Sequence, residues 1–146
     1  MNIDFLKILR CPKSGQQLVL DEPVYKHEQV HTGSLVSEDG KNVYPIINEI
    51  PRFVPQTNYA DNFGMQWNKF RQTQLDSFTG CNISAERFWK ATGWHPQDIS
   101  GKWVLDVGCG AGRFAEVALK AGAKVIAIDY SNAIEACFAN LKNYPN

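Results

Sequence analysis

Three glycines alternate directly after an apolar run at residues 103–107. They are Gly108, Gly110 and Gly112. The apolar run is short and contains β-branched residues, which predicts a parallel strand buried on both faces, and the periodic stretch 114–119 predicts a helix. A glycine loop between them lets a ligand approach the helix N-terminus, where unpaired N–H groups and the positive dipole end favour a nucleotide-like ligand. The pattern therefore predicts an α/β fold with a nucleotide-like ligand at the carboxyl end of this strand.

A second predicted strand, residues 123–128, ends in the carboxylate of Asp129. Parallel strands end at the same edge of a sheet, and an acid at this position typically binds ribose hydroxyls. A dinucleotide loop requires the spacing G-x-G-x-x-G, but Arg113 stands where the third glycine should fall. The spacing therefore argues against a nicotinamide-dependent oxidoreductase.

The segment from Val104 to Ser131 resembles the first strand, glycine loop, helix and second strand of class I S-adenosylmethionine-dependent methyltransferases. Its glycine motif reads Val-Leu-Asp-Val-Gly-Cys-Gly-Ala-Gly-Arg-Phe. The resemblance implies a Rossmann-like fold, S-adenosylmethionine as cofactor and Asp129 as the ribose-binding acid. The expected cofactor-binding residues are Asp106, Gly108, Cys109, Gly110, Ala111, Gly112, Asp129, Tyr130 and Ser131. A helix-capping role for Asp106 stays open beside this one, and no catalytic base is identified.

Residues 1–55 predict a small α+β unit of their own. The apolar residues of the stretch 3–9 indicate a short helix, and Asp39-Gly40 is a favourable hairpin turn. Short strands are predicted at residues 17–20, 34–37 and 42–47. Prolines restrict the exit from this unit to extended conformations, so the domain boundary is placed near Pro55.

This first unit resembles the small zinc-ribbon-like family that includes the activator subunit of tRNA methyltransferases. The similarity lies in three segments, residues 6–12, 33–36 and 44–53. Zinc-binding members carry two C-x-x-C pairs, whereas this chain has Cys11 at one of the four positions. The other three positions are Ser14, Ser37 and Gly40. A tetrahedral zinc site needs four good ligands, so the ligand set is lost and no metal is expected. His27 and His31 lie on a polar stretch and are interpreted as surface residues.

Residues 56–100 predict a helical linker that forms a lid over the cofactor. Aromatic residues recur at helical spacing between Tyr59 and Gln74, and Ser84 is predicted to be the N-cap of a second helix that ends at Gly93. By resemblance to the methyltransferases, these helices contribute to the substrate mouth. The candidate residues there are Tyr59, Trp67 and Arg71. Ordinary packing and solvation are the alternative, because aromatic burial alone explains two of them.

The charge balance restricts the partners of this chain. Fifteen Lys and Arg residues balance fifteen Asp and Glu residues, so neither nucleic acid nor an anionic membrane surface is favoured. The start of the chain lacks the pattern of a secretory signal, and the expected location is the cytoplasm. The expected function is methyl transfer to a small molecule or saccharide. The alternative is a non-catalytic interaction or activator module for a partner methyltransferase.

Residues 101–146 contain only two predicted sheet strands, fewer than a complete class I fold. We therefore expect these residues to be the first part of a Rossmann-like domain and the chain to be a fragment of a longer enzyme. The 146-residue chain alone is expected to be inactive. An uncovered sheet also predicts a homodimer through the incomplete sheet.

Overall fold

The computed structural model describes residues 1–55 and 61–144, with side chains from residue 64 onward in the second range. The chain forms two compact units, Met1–Gln56 and Thr57–Asn146. The division falls one residue beyond Pro55, beside the position predicted from the prolines. Within the described residues, every helix is too short or too polar to cross a membrane.

The first unit is a four-stranded antiparallel sheet preceded by a 3₁₀-helix, Ile3–Lys7. The strands are β1 (Leu18–Lys26), β2 (Gln29–Ser37), β3 (Val43–Ile47) and β4 (Ile50–Pro51), paired in this order. The three predicted strands are present, and the turn at Asp39-Gly40 joins β2 to β3 as predicted. β1 and β2 extend well beyond their predicted bounds because they continue into a shared hairpin.

Two hairpin turns of this unit were missed because they contain no glycine. His27 and Glu28 join β1 to β2 with φ of 49° and 65°, and Asn48 and Glu49 join β3 to β4 with φ of 50° and 70°. Two left-handed residues in a two-residue loop match the twist of the flanking strands. His27 lies exposed at the tip of its turn, as the sequence predicted.

Cys11 belongs to the hydrophobic core of the first unit. Its Sγ lies 3.2 Å from the Tyr44 hydroxyl, among buried residues that include Leu35 and Val30. Burial alone would raise the pKa of the Cys11 thiol, but hydrogen bonds with Ser14, Tyr44 and nearby backbone N–H groups together lower it to about 7. In the part of the chain that the structure describes, no group of three His, Cys, Asp or Glu residues is arranged to hold a metal.

In the described residues of the second unit, four helices precede the first strand. They are α1 (Asp61–Lys69), α2 (Asp76–Thr79), α3 (Ile83–Thr92) and α4 (Pro96–Ile99). The prediction that Ser84 is the N-cap of α3 is wrong, because the helix begins at Ile83 with Asn82 at the N-cap. The Asp76 carboxylate accepts the N–H groups of Ser84 and Ala85. The predicted end is confirmed, since Gly93 closes α3 in the left-handed conformation at φ 67°.

A two-stranded parallel sheet follows the helices. Its elements are β5 (Trp103–Val107), α5 (Arg113–Lys120), β6 (Lys124–Ile128) and α6 (Ala133–Leu141). The strands pair in parallel from Trp103 opposite Lys124 to Val107 opposite Ile128. The strand–loop–helix–strand order predicted from the glycine motif is therefore confirmed.

The two faces of the parallel sheet differ in burial. Val104 and Val125 point to one face and pack against apolar residues of α3 and α5, while Ala127 joins the cluster shared with α6. On the opposite face, Trp103 is 57% exposed and Val107 is 70% exposed. The prediction that this strand is buried on both faces is therefore wrong for the described residues. Alternation along the strand decides the burial.

Candidate cofactor site

The glycine loop is fixed to the carboxyl end of β6. The backbone N–H groups of Gly108 and Cys109 both donate to the carbonyl of Ile128, at 2.8 and 3.1 Å, and the N–H of Gly112 donates to the carbonyl of Cys109 at 2.9 Å. These bonds continue the parallel pairing into the loop. The loop therefore has a defined shape before any ligand binds.

The glycines of the loop have different roles. A Cβ on Gly112 would lie 2.7 Å from Leu141 Cδ1 and 2.9 Å from Cys137 Sγ, and its φ of 90° is left-handed. Gly112 therefore permits close packing of the loop on α6. A Cβ on Gly108 would meet no atom within 4 Å, although its φ of 76° also favours glycine. The backbone at Gly108 is open to a ligand.

Asp129 lies at the centre of the site. Its Oδ2 accepts the N–H of Gly110 at 2.8 Å, and its Oδ1 accepts both the N–H and the hydroxyl of Ser131 at 2.8 and 2.7 Å. The Ser131 hydroxyl in turn accepts the N–H of Ala133 in the first turn of α6. These bonds hold the carboxylate in one orientation beside the glycine loop. Each carboxylate oxygen can accept further hydrogen bonds.

A cavity of about 350 Å³ opens between the glycine loop and the upstream helices. Its described lining consists of Trp67, Gln74, Gly108, Cys109, Gly110, Ala111, Arg113, Phe114, Asp129, Tyr130 and Ser131. This volume lies within the range of about 300 to 1,000 Å³ that is usual for small-molecule and cofactor sites. The lining combines apolar side chains with two opposite charges, which suits a ligand of mixed polarity.

The upstream helix α1 forms one wall of this cavity. The Trp67 indole lies over the loop, with its Cε2 3.5 Å from the position that a Cβ on Gly110 would occupy. Asn68 Nδ2 fastens α1 to the loop before α6 by donating to the carbonyl of Asn132 at 2.9 Å. The close approach of the backbones is possible because Gly64 has no side chain, and a Cβ there would lie 3.0 Å from Asn132 N.

Most of the predicted cofactor residues line the cavity, but Asp106 and Gly112 are outside its lining. Asp106 belongs to β5, the strand that precedes the loop. The backbone N–H of Ala115, in the first turn of α5, donates a hydrogen bond to its carboxylate. Burial raises the pKa of Asp106, the Ala115 N–H opposes that shift, and the charge of Asp129 raises the pKa further. This geometry favours the helix-capping interpretation of Asp106, although its Oδ2 is buried with no hydrogen-bond partner in the protein.

Cys109 lies in the cavity wall as a neutral thiol. A hydrogen bond with Cys137, burial, and the charges of Cys137, Asp106 and Asp129 all raise the pKa of the Cys109 thiol far above its ordinary range. A thiol is a nucleophile only as its thiolate. Cys109 is therefore a packing and lining residue at neutral pH.

The three candidates for the substrate mouth have different placements. Trp67 lines the cavity, whereas Tyr59 lies outside the described residues. Arg71 does not line the cavity, because its Nη1 donates to Asn140 Oδ1 at 2.8 Å. Gln74, Arg113 and Phe114 also line the cavity, although the sequence pattern does not predict them as site residues. Arg113 occupies the position that a third glycine has in dinucleotide loops.

The cavity fits the nucleoside and amino-acid parts of S-adenosylmethionine. The open backbone at Gly108 allows close approach, and Asp129 offers fixed acceptors for ribose hydroxyls. The volume and the mixture of apolar and charged lining agree with a cofactor that is part aromatic and part zwitterionic. The residues present therefore fit this group.

Comparison with known proteins agrees with this fit. Residues 105–145 match the family described as "Methyltransferase domain". Three curated relatives are named "Ubiquinone biosynthesis O-methyltransferase", from the Xanthomonas oryzae pv. oryzae strains PXO99A, MAFF 311018 and KACC10331 / KXO85. Each is 37% identical over 78 residues, which cover 41% of this chain and 30% of the relative. The matched part therefore spans less than a third of the length of these relatives.

The second unit is a mixed α/β unit in which the glycine loop and Asp129 line one cavity. The matches support a class I S-adenosylmethionine-dependent methyltransferase, and they imply S-adenosylmethionine as the cofactor.

Proposed function

We propose that the second unit forms the cofactor-binding part of an S-adenosylmethionine-dependent O-methyltransferase. The single observation that carries the proposal is Asp129, held by Gly110 and Ser131 at the end of β6 and facing the cavity. This carboxylate accepts the ribose hydroxyls of the cofactor, while the backbone at Gly108 contacts the adjoining part of the molecule. The O-methyltransferase relatives support the type of acceptor atom.

The chemistry requires alignment more than activation. S-adenosylmethionine supplies a methyl group that is already activated by its positive sulfur. The protein contributes by fixing the cofactor, orienting it toward the acceptor and excluding water. The Trp67 indole over Gly110 and the short bonds of the glycine loop serve these tasks.

The proposed acceptor is a hydroxyl group on a small molecule or saccharide. The formal net charge of zero gives no general attraction for a nucleic-acid backbone. A relative named for ubiquinone biosynthesis also supports a small organic acceptor.

Binding calorimetry with the 146-residue chain tests the proposal. We expect S-adenosylmethionine and S-adenosylhomocysteine to bind, and Asp129→Ala to weaken binding by roughly 1 to 3 kcal/mol, because a charge-assisted bond to a hydroxyl is lost. Asp129→Asn keeps the shape and one acceptor, so it should give a smaller loss. Glu38→Gln removes an exposed carboxylate of the first unit and serves as the control.

Two results would contradict the proposal. Unchanged affinity of Asp129→Ala for S-adenosylhomocysteine would remove the ribose assignment. Tighter binding of NAD than of S-adenosylmethionine would indicate an oxidoreductase instead.

A further inference from the structure

Arg113 carries unused hydrogen-bonding capacity in the wall of the cavity. It is the first residue of α5 and lines the cavity beside the glycine loop. One of its terminal nitrogens, Nη1, donates to Gln74 Oε1 at 3.3 Å, while its Nε is buried with no hydrogen-bond partner in the protein. A guanidinium has five N–H donors, and a buried donor left unpaired is costly. Because Arg113 lines the cavity and only one of its donors is used by Gln74, its terminal nitrogens have donors left for a ligand.

The guanidinium is held in place from two sides. Its central carbon lies 4.9 Å from the centre of the Phe114 ring, within the range of a cation–π contact. Gln74 on the other side is itself anchored, because its backbone carbonyl accepts the hydroxyl of Ser84 at 2.8 Å. The orientation of Arg113 is therefore set before a ligand arrives, which reduces the entropy lost on binding.

The cavity has one positive and one negative side chain, which bind different parts of a ligand. Among the described lining residues, Arg113 and Asp129 carry the formal charges, one positive and one negative. Asp129 already contacts Gly110 and Ser131 and offers acceptors only. An anionic group in this cavity therefore finds its charged donor in Arg113.

We propose that Arg113, oriented by Gln74 and the Phe114 ring, binds the carboxylate of the methionine part of S-adenosylmethionine. The inference rests on the proposed function, since it requires that cofactor. A carboxylate and a guanidinium match in geometry and form short, charge-assisted bonds. The terminal nitrogens of Arg113 supply the donors of such a pair, because its Nε is buried away from the cavity. The arginine at the position of a third glycine thus adds selectivity for an amino-acid group, which a dinucleotide lacks.

The test compares ligands that differ at the amino-acid end. S-adenosylhomocysteine contains the carboxylate, whereas 5′-methylthioadenosine lacks the whole amino-acid part. For Arg113→Gln we expect affinity for S-adenosylhomocysteine to fall about 10- to 100-fold, the range for hydrogen bonds to charged groups, with affinity for methylthioadenosine unchanged. Arg113→Lys should restore part of the loss, because it keeps the charge but not the bidentate shape. Arg87→Gln, at an exposed arginine of α3, is the matched control.

A second measurement needs no variant. The wild-type chain should bind S-adenosylmethionine about 10-fold or more tightly than decarboxylated S-adenosylmethionine, because the latter cannot pair with the guanidinium. Equal affinities would overturn the inference even if Arg113 variants fail to fold.

The outcomes separate this inference from the proposed function. Binding of S-adenosylhomocysteine by the wild type, with equal affinity in Arg113→Gln, would overturn the inference alone. An equal loss for both ligands would also overturn it, because Arg113 would then act on the shape of the loop. Binding of neither ligand by the wild-type chain would overturn the proposed function and the inference together.

Discussion

The side-chain amide of Asn140 donates to the backbone carbonyl of Ala111 at 2.9 Å and so ties α6 to the glycine loop. The same nitrogen donates to the carbonyl of Arg71 at 2.9 Å, and its partner oxygen accepts from the Arg71 guanidinium. One asparagine therefore joins three segments that are far apart in sequence. The position of the upstream wall of the cavity depends on this side chain.

Replacing Asn140 should loosen both the fold and the site. We expect Asn140→Ala to lower the free energy of unfolding by about 1 to 3 kcal/mol, because three hydrogen bonds are lost and two backbone carbonyls lose a donor. Affinity for S-adenosylhomocysteine should fall as well. Chemical denaturation and calorimetry measure the two effects, with the exposed Asn143→Ala as control. Equal stability of the two variants would contradict the assigned role.

The packing role of Gly112 is separable from its backbone conformation. Gly112→Ala introduces a left-handed alanine at φ 90° and a clash with Leu141 and Cys137, whereas Gly101→Ala introduces a left-handed alanine at φ 72° into open space. We expect Gly112→Ala to be less stable than Gly101→Ala by roughly 1 to 3 kcal/mol, the usual effect of overpacking. Urea denaturation of both variants gives the difference. Equal losses would show that α6 moves aside freely.

The stability of the first unit should depend on pH through Cys11. Its pKa in the fold is about 7, below the ordinary value of 9.0, because its hydrogen bonds outweigh the opposing effect of burial. Between these values the unfolded chain binds more protons than the folded chain, so stability rises with pH. The contribution is complete above the ordinary value and is lost as the pH falls through about 7.

The measurement compares the wild type with Cys11→Ser across this pH window. The free energy of unfolding of the wild type, relative to that of Cys11→Ser, should increase as the pH rises from about 7 to 9.0. Other groups contribute equally to the pH dependence of both proteins. One of them is the buried Met1 ammonium, whose pKa is lowered chiefly by burial. A difference that does not change with pH would mean that Cys11 stays a thiol.

The open face of the parallel sheet is proposed to pair with a second copy. Leu105 and Ile126 lie opposite each other on this face, between the exposed Trp103 and Val107. Contiguous apolar surface of this kind favours association. We expect the wild type to self-associate with rising concentration in sedimentation experiments, and Leu105→Lys to reduce this. Met65→Lys changes an exposed apolar residue of α1 and should have no such effect. A wild type that stays monomeric would contradict the proposal.

The glycine motif could be interpreted from sequence because its information is local. Short apolar runs with β-branched residues specify β5 and β6, the glycines specify the turn, and Asp129 follows the second strand directly. These signals operate within a few residues of the chain. The helix boundary at Gly93 was likewise predictable, since the left-handed cap favours glycine.

Tertiary structure decided what could not be obtained from local pattern. The hairpin turns at His27 and Asn48 take left-handed residues without glycine because strand pairing on both sides holds them. Asp76, in α2, caps α3. The buried Ser84 hydroxyl instead donates to the backbone carbonyl of Gln74. No local sequence pattern predicts which residues such contacts bring together.

By itself, the sequence determined the strand–glycine loop–helix–strand element and the acid that follows it, because backbone conformation and side-chain alternation are local properties. Only the tertiary structure decided which residues share the cavity. It brought Trp67 over Gly110, placed Gln74 beside Arg113, and diverted Arg71 to Asn140. It also left one face of the sheet exposed, since burial depends on what packs against a strand and not on the strand alone.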